Sequence, residues 1–186
     1  MRYASGIAAY GDFARPTQLA PDNSTKGARE LVIALGGNYE VGPFGVMLGS
    51  YFRSFRNASP DLDYRDLDEG IVLLRPQVWI KDILGLAVEG SYQLQQRGVL
   101  WNAPGTDDLR PLLGKVGRFG VVPFLAVGGR GSYSRPHIRL IYTLTARNDA
   151  ARAMYPTDDV MSLRSIDHFI GFGAEWWFGS TSYFRD

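Results

Sequence analysis

Apolar and polar residues alternate along most of this chain with a period of two, the repeat of a β-strand that presents a different face to each side. Leu31, Ile33, Leu35, Gly37, Tyr39 and Val41 fall on one face, and Val32, Ala34, Gly36, Asn38 and Glu40 on the other. Phe44, Val46, Leu48 and Phe52 oppose Gly45, Met47, Gly49, Tyr51, Arg53 and Phe55. Val72, Leu74, Pro76, Val78 and Ile80 oppose Arg75, Gln77, Trp79 and Lys81. Leu86, Val88, Tyr92 and Leu94 oppose Ala87, Glu89, Ser91, Gln93 and Gln95, and Ile138, Leu140, Tyr142 and Leu144 oppose Arg135, His137, Arg139, Thr143, Thr145 and Arg147. About eight such segments are expected, near 3–14, 29–40, 43–56, 71–81, 84–96, 116–128, 134–147 and 166–178, each close to the length of a tilted membrane strand. Segment 116–128 is the exception in pattern: Val121, Pro123, Leu125 and Val127 share a face, but Val122 and Phe124 opposite them are apolar too.

The connections alternate long and short. Long ones are expected near 15–28, 57–70, 97–115 and 148–165, with short ones at 40–43, 81–84 and the glycine-rich 128–133. A soluble β-sandwich has no reason to keep this order. An outer-membrane barrel does, because its periplasmic turns are short and its extracellular loops long. The cluster Asp61, Asp63, Arg65, Asp66, Asp68 and Glu69 reads as a solvated loop.

The two faces differ in what they can touch. A charge facing lipid costs roughly 2–4 kcal/mol at mid-bilayer. The face carrying Arg53, Arg75, Glu89, Arg135, Arg139, Arg147 and Glu175 therefore looks into water, and the aliphatic face meets lipid. The expected fold is all-β, an antiparallel transmembrane barrel with a wet lumen. Guanidinium and carboxylate groups on such a wall offer charge-assisted hydrogen bonds to sugar hydroxyls.

Composition narrows the chemistry. The chain has 186 residues, 22 of them Gly, with 10 Tyr, 10 Phe and 4 Trp, as suits an all-β protein. It has no cysteine, which removes disulfides, thiolate zinc sites and cysteine nucleophiles. Its 2 histidines, His137 and His168, are too few for a histidine-rich metal centre, and no cofactor is expected. A net charge of +1 provides no field to draw nucleic acid. No stretch approaches the roughly 18–20 apolar residues of a membrane helix. The first residues lack a basic start followed by an apolar run, so an outer-membrane reading expects a start upstream of Met1.

The closing strand carries a more specific signal. Ile170, Phe172, Ala174, Trp176 and Phe178 form an apolar face with an aromatic finish, opposite Gly171, Gly173, Glu175 and Trp177. Together with Val88-Glu89-Gly90-Ser91-Tyr92-Gln93, Gly114-Lys115-Val116 and Ser134-Arg135-Pro136-His137-Ile138-Arg139-Leu140, which precede it in this order, the closing strand makes the chain resemble the maltoporins, trimeric outer-membrane channels for maltose and maltodextrins. The resemblance is clear over residues 84–178. It implies the C-terminal part of a barrel of about 18 strands, a bacterial outer-membrane location, a homotrimer, and an oligosaccharide solute moving by passive diffusion without chemical turnover. Sugar would slide along aromatic rings while ionisable groups meet its hydroxyls. Trp177 matches the family's inward tryptophan. Trp79 and Tyr51 are inward aromatics by parity, and Phe124 lies on the strand where another track ring would fall. Arg75, Arg135 and Arg139 would form an electrostatic wall with Glu89 and Glu175, beside Gln93. The alternative is a self-contained eight-stranded outer-membrane barrel without a sugar pore, in which segment 3–14 pairs with 166–178.

Overall fold

The computed structural model describes residues 27–57, 66–131 and 134–176. Within them lie seven strands: β1 (Arg29–Val41), β2 (Phe44–Arg56), β3 (Leu67–Trp79), β4 (Leu84–Asn102), β5 (Leu109–Ala126), β6 (His137–Arg147) and β7 (Ile166–Glu175). They form one antiparallel sheet in sequence order, each strand paired with the next. The fold is all-β, as the period-two pattern predicts, and the sheet is open, with β1 and β7 at its edges among the described residues. The expected strand at 3–14, its proposed pairing with 166–178 in the eight-stranded alternative, and the loop at 15–28 up to residue 26 lie outside the described residues.

Burial runs opposite to that of a soluble protein. Ile170 and Phe172 are 75% and 73% exposed, while Arg53, Glu69 and Arg147 are 6%, 4% and 7% exposed. Leu31, Ile33, Leu35, Phe44, Leu48, Phe52, Val72, Leu74 and Leu140 join the exposed aliphatic face. The polar side is the crowded side, as on the concave face of a curled sheet. An apolar outer belt over a polar inner wall is the arrangement that lipid outside and water inside select. On the outer face the Tyr142 hydroxyl and His168 Nδ1 lie 2.9 Å apart, so two polar groups there satisfy each other.

Register is held by short connections at one end. Gly42 and Pro43 join β1 to β2, and Gly42 takes φ +55°, a left-handed backbone that glycine adopts without a Cβ penalty. Pro76 and Pro123 sit inside central strands, where proline cannot donate to the ladder. Accordingly the β3–β4 pairing passes from Leu74↔Gly90 to Gln77↔Ala87, and the β5–β6 pairing from Val121↔Tyr142 to Phe124↔Arg139. The register is unchanged across both gaps.

Two expected connections need correction, and a third, 148–165, lies where it is expected but is not without structure of its own. The loop expected at 97–115 is mostly strand: β4 runs on to Asn102 and β5 begins at Leu109. A bulge between Arg97 and Leu100 shifts the register there, which breaks the alternation in the sequence without ending the strand. Residues 67–70 of the expected loop 57–70 belong to β3, so the acidic cluster is not wholly a solvated loop. The 148–165 connection contains two short helices, α1 (Asp149–Arg152) and α2 (Val160–Leu163), capped by Asn148 and Asp159. Four-residue helices are too short to imprint a 3.6-residue period on a sequence.

Candidate functional site

The register stacks inward side chains into rungs across the wall. Nearest the short turns, Ala126, His137 and Glu175 share one rung, and Gly85, Phe124, Arg139 and Gly173 the next. Phe124 is 2% exposed and Trp79 5%. Their rings meet edge to face, 5.0 Å apart at 88°, and Phe124 tilts against His137 at 4.8 Å. The Phe124 ring lies directly over Gly85, where an added Cβ would come 2.2 Å from Cζ. Glycine there is therefore a packing requirement, since the ring fills the space a side chain would take. Segment 116–128 is apolar on both faces for this reason: Val122, Phe124 and Ala126 pack on the inner wall around Trp79 and Ala87.

Beside this cluster one carboxylate is held by two guanidiniums. Glu175 Oε1 accepts from Arg135 Nη2 at 2.8 Å, and Glu175 Oε2 accepts from Arg139 Nη2. Arg139 Nε also donates to His137 Nδ1 at 3.2 Å, and Arg135 Nη1 to the Ser134 carbonyl at 2.8 Å. Two rungs further on, Arg75 Nη1 and Glu89 Oε2 are 3.9 Å apart, with Arg75 buried. The expected grouping of Arg75, Arg135 and Arg139 with Glu89 and Glu175 is thus present in two neighbouring ion-paired sets.

The other end of the wall carries a second network. Glu69 is buried on β3 and accepts from the Tyr51 hydroxyl at 3.0 Å and from Gln95 Nε2 at 2.9 Å. Arg53 Nη1 is 3.5 Å from Glu69, and Arg53 Nε donates to Glu30 at 2.6 Å. Gln93 lies one rung closer to the turns, level with Ile71 and Val116. On the far side Arg147 is paired with Asp167. Tyr51, Trp79, Arg75, Glu89, Gln93, Arg135, Arg139 and Glu175 all fall on the inner wall, and Trp177 lies outside the described residues.

Sequence reading missed Glu69, which the acidic cluster 61–69 disguises as loop. Its parity gives it away: counting back from Trp79 through Arg75 in steps of two reaches Glu69 on the same face.

Chemically, the wall offers donors and acceptors in fixed pairs. Such a surface can exchange hydrogen bonds with a polyhydroxylated solute while keeping each ion compensated. Among the described residues no helix is long and apolar enough to cross a membrane, and none is needed where strands do so. The comparison with curated individual proteins found no match. The comparison with family models matched the LamB porin family over residues 1–178. Agreement of that length with the inside-out sheet leaves one conclusion: the chain belongs to the LamB porin family, whose members are channels of the bacterial outer membrane.

Proposed function

We propose that this wall lines a passive diffusion channel selective for carbohydrates of the maltose and maltodextrin type, working as a homotrimer. The observation that carries the reading is the Glu175 clamp between Arg135 and Arg139, next to the Arg75–Glu89 pair on the lumen side of a sheet whose other side is aliphatic. Sugar hydroxyls approach such pairs as both donors and acceptors, and each contact is weak because the ions are already compensated. Weak, repeated contacts suit conduction, since a solute must leave as readily as it enters. Gln93 and Tyr51 extend the polar surface toward the loop end. Trp177, through its match to the family's inward tryptophan, supplies an apolar stacking face. Trp79, packed edge-on against Phe124, stiffens the wall behind that surface. No bond is made or broken, and the concentration gradient drives transport.

The test is titration of the purified channel in planar bilayers with maltodextrins of increasing length. Saturable block of the ion current is expected, and Glu175→Gln should weaken it by about tenfold through loss of charge-assisted bonds. Block that is absent, or equal for maltodextrins and a non-sugar polyol, sinks the carbohydrate reading.

A further inference from the structure

The outer, aliphatic face of the sheet is not evenly covered. Gly90 is flanked by Leu74 and Phe119 on one rung, and Gly117 by Tyr92 and Ala146 on the next. The two glycines sit on adjoining strands and lie diagonally between the Tyr92 and Phe119 side chains. Together they leave an open apolar groove of about 440 Å³ on the side that meets lipid. Nothing inside the chain requires glycine at either place. A Cβ on Gly90 would meet no atom within 4 Å, and one on Gly117 only Tyr92 Cδ2 at 4.0 Å. Glycine weakens a strand, and where its own sheet does not use the room it marks the close approach of something else.

A cation stands at the head of this groove. Lys115 is the next outward residue on β5 after Gly117, and it is exposed. It makes no ion pair among the described residues. The outward carboxylate Asp68, on β3, is held instead by Arg56 at 2.7 Å. Leu125, near the short-turn end of the same outward row, lies ten residues further along β5. At a rise of about 3.4 Å per residue and a tilt near 40°, that spans about 26 Å, the height of the apolar belt. Lys115 therefore emerges at the headgroup level of the outer leaflet, where its stem covers apolar surface and its ammonium reaches water. From it Gly117 and then Gly90 descend into the acyl layer.

We propose that this groove seats one acyl chain of a phosphorylated outer-leaflet lipid, whose phosphate pairs with Lys115. The occupant follows from two features. The groove is open, apolar and one glycine wide on each rung, which suits a methylene chain, and the charge above it is complementary to a phosphate. A second copy of this chain would bring Asp68 as the described outward carboxylate of that level, and Asp68 is already paired. The site is on the outside of the wall and is independent of what passes through the lumen.

Native mass spectrometry of the intact, delipidated channel tests this, with hexa-acyl bisphosphoryl lipid A as the probe and its dephosphorylated form as the control. One tightly retained lipid A per subunit is expected. Lys115→Gln should weaken retention about fivefold, and removing the phosphates from the lipid should do the same. Gly90→Leu combined with Gly117→Leu fills the groove, and should weaken retention about tenfold or more while the assembly and its ion conductance persist. Equal retention of the two lipids, or equal retention by native and filled channels, overturns the proposal. So does a filled groove that dissociates the assembly, because a second copy is then the occupant. If the double substitution prevents folding, Lys115→Gln decides alone, and unchanged affinity refutes the site.

Discussion

The two ends of the inner wall solve the burial of charge in opposite ways. At the short-turn end one carboxylate, Glu175, is shared by two guanidiniums, Arg135 and Arg139, with the aromatic cluster of Trp79, Phe124 and His137 behind them. At the loop end one guanidinium, Arg53, is shared by two carboxylates, Glu30 and Glu69, with amide and phenol groups around them. The first triad leans positive and is braced by apolar packing. The second leans negative and is braced by hydrogen bonds. The contrast shows that burial on this wall follows the crowding of the inner face and not hydrophobicity, so each end depends on a different kind of interaction for its rigidity.

Three substitutions separate those kinds. Phe124→Ala should have the largest effect. It removes the ring that fills the space between Trp79, Gly85 and His137 and should cost about 4 kcal/mol, read as a lower unfolding temperature of the channel on semi-native gels. A smaller loss than that of a surface control at Ile170 would mean the aromatic brace is dispensable. Glu69→Ala comes next, at about 3 kcal/mol, because it strips Tyr51 and Gln95 of their shared acceptor and removes one of the two carboxylates beside Arg53. Combined with Phe124→Ala, its effect should add, since the two sites share no partner; strong non-additivity would show that the two ends are one unit. Tyr51→Phe is the mildest, about 1 kcal/mol for one hydrogen bond, with sugar affinity altered more than stability if the phenol also meets solute. Equal stability with unchanged maltodextrin block would confine Tyr51 to neither role.

Much of this wall is legible in the sequence wherever a strand keeps strict alternation. Leu48, Phe52, Val72 and Leu74 are outward and Arg53, Arg75 and Trp79 inward in both. Legibility fails where another requirement overrides the pattern. The bulge after Arg97 interrupts the period in β4. The charges of 61–69 resemble a loop although Glu69 is in the wall. Phe124 lies in a segment that is apolar on both faces, and its packing over Gly85 depends on register and not on neighbours in sequence. The seat of α1 depends on Asn148 reaching back 33 residues to Lys115, a distance that no local pattern encodes.

The fixed register across β3–β4 and β5–β6, unbroken even where Pro76 and Pro123 interrupt the ladder, has a consequence for how such a gene can change. Inserting or deleting one codon within a strand would rotate every later side chain of that strand to the opposite face, turning arginines toward lipid and leucines toward water. Length changes of two codons keep the faces and cost only local mismatch. Indels in the strands of this lineage should therefore come in pairs of residues, and single-residue indels should be confined to the connections.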